Sequence, residues 1–282
     1  MNENYFDAFI ENAIKEDIRD GDHSTLSCIP PDANGKAKLL IKQEGVLAGV
    51  YVAGKIMHKF DPELKMSVHL FDGAKVKPGD IAFIAEGSVR SILQIERLVL
   101  NVMQRMSGIA TRTNEYVSKL EGLNTRILDT RKTTPGMRFL EKQAVVIGGG
   151  ANHRMGLYDM IMLKDNHIDF AGGIEKAIDS VKKYLAGKNL DLKIEIETRS
   201  LDDIKRVLAH GGVNRIMLDN FDPEMTREAV KLIDGKYETE SSGGITLETI
   251  RSYAECGVDF ISVGALTHQI SSLDMSLKAI DF

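Results

Sequence analysis

Between residues 126 and 263 the chain alternates short apolar runs with amphipathic stretches, and this rhythm restricts the folds open to it. RIL at 126–128, MIML at 160–163, LKIEI at 192–196, RIML at 215–218, YETE at 237–240 and FISV at 260–263 read as strands. Helical periodicity fills the gaps at 139–147, 174–185, 201–209, 223–233 and 247–254. Strands separated by helices build a parallel sheet, closed as a barrel or doubly wound. No Gly-x-Gly-x-x-Gly follows a strand and no Gly-x-x-x-x-Gly-Lys-Ser/Thr occurs, so the nucleotide-binding signatures of a doubly wound sheet are missing and the barrel is preferred. Six strands are evident, fewer than the eight of a regular barrel.

The first third has another rhythm. Phe6, Phe9, Ile10, Ala13 and Ile14 share one face of an opening helix. Strands at 37–43, 65–71 and 81–85 mix with a helix at 50–60, without strict alternation, which predicts an α+β domain. A long apolar stripe through Ile92, Ile95, Leu98, Val99, Val102, Met103 and Met106 resumes at Tyr116, Val117 and Leu120, with Ser107-Gly108 as an expected bend. The reading is therefore an N-terminal domain over 1–107 and a barrel over 108–268.

At 282 residues the chain is long enough for one barrel of roughly 250 residues or for two domains. Its net charge of −5 argues against nucleic acid or an anionic membrane as partner, so an anion site must be a local cluster of cations. No apolar run approaches the ~20 residues needed to cross a bilayer. Cys28 and Cys256 are far apart and twelve methionines are present, so the expectation is reduced thiols in the cytoplasm.

In parallel barrels the chemistry sits at the C-terminal ends of the strands. The residues after each strand here are Asp129, Thr130, Arg131 and Lys132; then Lys164, Asp165, Asn166 and His167; then Glu197 and Arg199; then Asp219 and Asn220; then Ser241, Ser242, Gly243 and Gly244; and last Gly264, Ala265, Leu266, Thr267 and His268. Cations come early, carboxylates in the middle and small residues late. Ser241 to Gly244 precede a helix expected to open at Thr246, a pattern suited to phosphate. The Gly-flanked loop GGGANHRMG adds His153 and Arg154. Arg131, Lys132, His153, Arg154 and Lys164 would make one face strongly positive, fit for a small polyanion with carboxylates as well as phosphate. Glu197 and Asp219 read either as acids that face a cation or Mg²⁺, or as ion-pair partners of Lys132 or Lys164. A Schiff-base role for Lys164 is the rival enzymatic reading, and a phosphoribosyl-ligand sensor the non-enzymatic one.

The segments DTRKTTPGMR, GGGANHRMGLYDMIMLKDNHI, IEIE, IMLDNF, ESSGGIT and VGALTH, in that order, resemble the quinolinate phosphoribosyltransferase family. The resemblance extends upstream to ERLVLNVMQRMSGIAT and EDIRDGDHST and covers essentially the whole chain. It implies decarboxylating transfer of a phosphoribosyl group from phosphoribosyl pyrophosphate to quinolinate, with Mg²⁺. It implies an α/β fold, an N-terminal α+β sandwich domain and an incomplete barrel of about seven strands, short of the usual eight, with residues 269–282 returning to the first domain. It also implies homodimers with shared active sites, a hexamer being the larger alternative. By motif, Arg97 would reach quinolinate in the neighbouring subunit. Arg131, Lys132, His153, Arg154 and Lys164 would hold quinolinate, with Lys132, Lys164, Glu197 and Asp219 catalytic. Thr130, Glu197, Asp219, Ser241, Ser242, Gly243, Gly244, Gly264, Ala265, Leu266 and His268 would hold the phosphoribosyl substrate, and Glu197 and Asp219 would meet Mg²⁺ indirectly.

Overall fold

The computed structural model describes residues 3–280. In chain order the elements are α1 (Glu3–Asp17), α2 (His23–Cys28), β1 (Asn34–Ile41), β2 (Gly45–Val46), α3 (Val50–Phe60), β3 (Lys65–Val68), β4 (Lys75–Val76), β5 (Ile81–Ser88) and the long α4 (Val89–Lys119). There follow β6 (Arg126–Leu128), α5 (Arg138–Ile147), β7 (Ile161–Leu163), α6 (Asp165–Ala171), α7 (Ile174–Lys188), β8 (Ile194–Thr198) and α8 (Leu201–His210). The chain ends with β9 (Arg215–Asp219), α9 (Pro223–Ile233), β10 (Glu238–Ser242), α10 (Ile250–Ala254), β11 (Phe260–Ser262), α11 (Ala265–His268) and β12 (Met275–Ala279).

Two compact units result. The first takes the chain up to Asn114, adds Thr133–Gly149, and resumes at Thr267. Its antiparallel sheet has the order β12-β1-β5-β3. Strand β12 pairs with β1 from Ala37↔Ala279 to Ile41↔Met275, so the C-terminal segment covers what would be an open edge of β1. Helix α1 buries Phe6 and Ile10, and the rings of Tyr5, Phe6 and Phe9 all meet Phe139 edge-on at 5.5–5.7 Å.

The second unit comprises Glu115–Lys132 and Gly150–Leu266. Its six strands run parallel in the order β6-β11-β10-β9-β8-β7. Beyond β6 the chain adds a single parallel rung, Leu128↔Ala151. This is an incomplete α/β barrel, in which a one-residue rung takes the place of a seventh strand. Side chains alternate between the two faces of a strand. Ile194, Ile196, Ile216, Leu218 and Ile261 therefore pack outward on the helices, with Ile204, Val207, Ala229, Ile233 and Ile250 as fully buried partners. The other face carries Glu195, Glu197, Arg215, Met217, Asp219, Glu238, Glu240 and Ser242. A regular barrel fills that space with bulky apolar layers; this one fills much of it with charge.

Several expectations need correction. The first compact unit runs a few residues past Gly108, to Asn114. Helix α4 continues unbroken through Ser107-Gly108, because Ser107 Oγ both accepts from the Ala48 N–H at 2.8 Å and donates to the Ala48 carbonyl at 3.0 Å. A Cβ on Gly108 would meet the Ser271 carbonyl oxygen at 2.3 Å, so this glycine serves close approach of the C-terminal segment rather than a bend. Helix α5, expected with the barrel, belongs to the first unit. The last barrel helix opens at Ile250, not at Thr246, since Thr249 folds residues 246–249 into a turn by accepting the Thr246 N–H at 3.0 Å. Helix α6 was not foreseen, and it turns the Lys164–His167 stretch from loop into a helix start.

The two glycines within helices α4 and α7 separate packing from propensity. Gly187→Ala places its methyl group in open space and should raise the thermal midpoint, Ala gaining up to about 1 kcal/mol over Gly in a helix. Gly108→Ala should lower it, because overpacking by one methyl costs about 1–3 kcal/mol. A rise in both variants, followed by circular dichroism on heating, would show that the contact with Ser271 is not tight.

Candidate active site

Residues from five strand ends and one loop line the charged face of the second unit. The loop is carried by the rung beyond β6. The Ala151 N–H donates to the Ile127 carbonyl at 2.8 Å and the Asp129 N–H donates to the Ala151 carbonyl at 3.1 Å. The fully buried Asp129 carboxylate then accepts the His153 N–H at 2.8 Å. This stitching brings the DTRK and NHR segments side by side, although about twenty residues separate them.

Arg154 is half-buried, and its guanidinium donates to the Met160 carbonyl at 3.2 Å and to Met162 Sδ at 3.6 Å. Burial and then the nearby positive charge of Arg131 hold its pKa below the ordinary arginine value. Two guanidinium groups are thus kept close enough to repel. Lys164 stands at the head of α6, with Nζ 3.2 Å from Glu197 Oε1, while the other Glu197 oxygen accepts the Asp165 N–H at 3.2 Å. Of the two ion-pair partners considered for Glu197, the structure selects Lys164. Asp219, at the end of the neighbouring strand, has its carboxyl raised by burial and then by the charge of Glu197, against the pull of Lys164.

The small residues lie beside these acids. Asp219 pairs in register with Ser242. Gly243 and Gly244 both have left-handed backbones, with φ of 96° and 63°. A Cβ on Gly243 would fall 2.1 Å from Asn220 Oδ1, so only glycine admits the Asn220 side chain. Ser241, expected to join this group, does not: β10 extends through Ser242, and the alternation puts Ser241 on the opposite, helix-facing side. Leu266 is fully buried and offers only backbone. Thr130 Oγ1 accepts the Lys132 N–H at 3.1 Å, which shapes the turn carrying Arg131 and exposed Lys132. Gly264 and Ala265 follow β11. Arg97 and His268 are exposed residues of the first unit. Arg199 turns outward to Asp169 at 2.8 Å. Arg105, in the first unit, binds Glu141 at 2.7 Å and Thr134 Oγ1 at 2.9 Å, and so holds the segment that follows Lys132.

His153 was expected as a ligand for a substrate carboxylate. Its ring is turned inward instead. Nε2 lies 2.9 Å from Glu195 Oε2 and 3.4 Å from Glu240 Oε2, and Nδ1 accepts the Arg154 N–H at 2.7 Å. Glu240 in turn accepts from Arg215 Nη1 at 2.8 Å, and the Arg215 guanidinium lies 4.0 Å from the centre of the Phe260 ring. Burial disfavours the His153 imidazolium, but hydrogen bonds and charge from Glu195 and Glu240 outweigh it and raise the group to about 9. Burial and then the charge of Glu240 raise Glu195 to about 7.

Glu195, Glu240 and Arg215 were not singled out from the sequence. The available signal was the i, i+2 spacing of acids in IEIE and ETE, since strands covered on both faces ordinarily read as unbroken apolar runs.

Comparison with known proteins agrees over nearly the whole chain. The family description "Quinolinate phosphoribosyl transferase, C-terminal domain" matches residues 109–278, and the corresponding N-terminal domain matches residues 22–107. A chloroplastic nicotinate-nucleotide pyrophosphorylase (carboxylating) of Arabidopsis thaliana is 46% identical over 96% of this chain and 82% of its own length. A probable nicotinate-nucleotide pyrophosphorylase (carboxylating) of Bacillus subtilis (strain 168) is 40% identical over 98% of this chain and 94% of its own. Among solved structures, NadC from Streptococcus pyogenes superposes with a TM-score of 0.93 at 38% identity, covering 100% of this chain and 99% of that one. The nicotinate-nucleotide pyrophosphorylase from Francisella tularensis gives 0.92 at 37% identity, covering 99% and 98%. With both domains matched and relatives this similar at full length, the chain belongs to the quinolinate phosphoribosyltransferase family.

Proposed function

We propose that this chain transfers the phosphoribosyl group of phosphoribosyl pyrophosphate to quinolinate and releases CO₂, giving nicotinate mononucleotide and pyrophosphate for NAD biosynthesis. The observation that carries the reading is the pair Arg131 and Arg154. Two half-buried guanidinium groups, the charge of Arg131 acting to lower Arg154, favour a ligand with more than one negative charge. A pyridine dicarboxylate meets that need.

In this reading Arg131, Arg154 and Lys164 grip the two carboxylates and turn the ring nitrogen toward ribose C1. That fixed approach is an orientation effect. Lys132 lies between quinolinate and phosphoribosyl pyrophosphate. Ser242, Gly243, Gly244, Gly264 and His268 hold the 5′-phosphate; Thr130 and Ala265 shape its surroundings. Positive charge grows on the ribose as pyrophosphate departs, and Glu197 and Asp219 are there to stabilise it, a preorganised electrostatic contribution. The same two carboxylates fit Mg²⁺, a hard cation that usually takes one or two acids plus phosphates and water. The raised Asp219 carboxyl is in keeping with a position where negative charge is in excess. When bound, the ion neutralises charge on the pyrophosphate. Once the ring nitrogen carries the ribose it is cationic, so the electron pair of the adjacent C–CO₂ bond flows into the ring. CO₂ leaves, and the ring carbon takes a proton.

The partners in this reading are the two substrates and a second copy of the chain. Arg97 from one copy completes the pocket of the other, as the family resemblance implies. No helix among the described residues is long and apolar enough to cross a membrane. Both cysteines are free thiols, one exposed and one buried, which suits a reducing compartment such as the cytoplasm.

Purified protein with quinolinate, phosphoribosyl pyrophosphate and Mg²⁺ should release CO₂ and form the mononucleotide; absence of both refutes the assignment. Arg131→Ala and Arg154→Ala should each raise the quinolinate KM about 10- to 150-fold, the equivalent of one charge-assisted bond of about 1.5–3 kcal/mol. Unchanged quinolinate kinetics in both would reject the pocket. Arg97→Ala and Lys164→Ala chains, each inactive alone, should recover about a quarter of wild-type activity when mixed at equal amounts, through the one intact site of each hybrid dimer. No recovery in hybrids verified by mass would argue that each subunit works alone.

A further inference from the structure

Resting on that assignment, we infer that His153 is a positioning residue and not a ligand: with Glu195, Glu240 and Arg215 beneath it and Asp129 beside it, it fixes the backbone from which Arg154 reaches the substrate. The geometry carries this. His153 is 8% exposed, and Glu195 and Glu240 are sealed from solvent. Both ring nitrogens face groups inside the protein: Nδ1 accepts the Arg154 N–H, and Nε2 lies at ion-pair distance from Glu195 and Glu240. A backbone N–H only donates, so its 2.7 Å contact with Nδ1 requires a lone pair there and favours the neutral ring with its proton on Nε2, working against the imidazolium that Glu195 and Glu240 favour. The ring is thereby fixed in one tautomer and one orientation, with the Asp129 carboxylate pinning its own backbone N–H at 2.8 Å. The backbone N–H groups of His153 and Arg154 are thus both tied down, and the Arg154 guanidinium, steered by Met160 and Met162, is held at one reach.

The floor beneath is balanced by design of the strands. Glu195 on β8 lies in register with Arg215 on β9, which in turn lies in register with Glu238 on β10. Arg215 donates to Glu238 at 3.1 Å and to Glu240 at 2.8 Å. Ser262 on β11 adds a hydrogen bond to Glu240. Two buried acids facing one arginine leave a negative charge over, and burial and then the charge of Glu240 raise the Glu195 carboxyl to about 7, so that it takes up a proton more readily than an ordinary carboxylate while His153 Nε2 faces it. His153, Glu195 and Glu240 also have the composition of a metal site. With its proton on Nε2, however, the ring has no lone pair to give a metal there, and Arg215 already takes one of the two Glu240 oxygens.

A double-mutant cycle separates positioning from direct contact. In an otherwise wild-type chain, His153→Gln and Glu240→Gln should each raise the quinolinate KM at least fivefold, with the KM for phosphoribosyl pyrophosphate changed less than twofold. In an Arg154→Ala background, the same changes should add less than a further twofold. Full additivity in that background would mean that His153 touches quinolinate itself and would overturn the inference. A second measurement survives if a variant fails to fold. In ¹⁵N-histidine-labelled wild-type protein, His153 should show an unprotonated Nδ1 and a protonated Nε2, both unchanged when quinolinate is added. A proton on Nδ1, a quinolinate-dependent shift at either nitrogen of protonation size, or loss of the Nε2–H on titration with Zn²⁺ would each refute it. If wild-type enzyme turned over no quinolinate at all, the functional assignment would fail while the tautomer readout stood.

Discussion

The close approach of His153 Nε2 to the Glu195 carboxylate, at 2.9 Å, is the interaction on which the second unit's charged face depends. Without it, Glu195 and Glu240 would share a sealed space with Arg215 as the main compensation, and an uncompensated buried charge costs several kcal/mol. With it, the two acids face an imidazole as well as Arg215, and the loop above is fixed. The same imidazole then accepts the Arg154 N–H at 2.7 Å. The apolar layers of an ordinary barrel could pack this space but could not hold a backbone N–H in place. Charge inside the sheet thus connects packing to binding: the floor orients a loop, and the loop presents a guanidinium.

The upper layer uses charge differently. Glu197 and Asp219 are partly compensated by Lys164 and by the hydrogen bonds from Asp165 and Asn220. Repulsion between Arg131 and Arg154, and between Glu197 and Asp219, is carried by the folded chain before any ligand arrives. Such residual repulsion is the form that preorganisation takes, because a ligand of complementary charge relieves it without rearranging the protein.

Much of this was legible in the residue pattern, for physical reasons that can be named. The strand and helix periods of the second unit depend on local hydrophobic spacing, so helices such as Pro223–Ile233, with Pro at its first turn and Asp222 as cap, were readable to the residue. Strand ends were read too short wherever polar residues continue a ladder: Asp219 pairs with Ser242, and no apolar signal marks that rung. That shortfall misdirected Ser241, whose face follows from the strand's true end. Helix α6 was hidden because its first turn, Lys164 to His167, is wholly polar and therefore looks like loop. The role of Glu195 and Glu240 needs distances across three strands, and the orientation of the His153 ring follows from them. Neither is written in local spacing. The division of the chain into two units was obscured by α4, whose stripe runs through both.

The cationic wall is built for two carboxylates. Titration calorimetry of quinolinate against nicotinate, the same ring with one carboxylate fewer, tests it most directly. The wild-type protein should favour quinolinate by about 10- to 150-fold, the worth of one charge-assisted bond, and Arg154→Ala should erase most of that preference. Equal affinity for the two pyridines in the wild-type protein would mean that the second carboxylate finds no cation there.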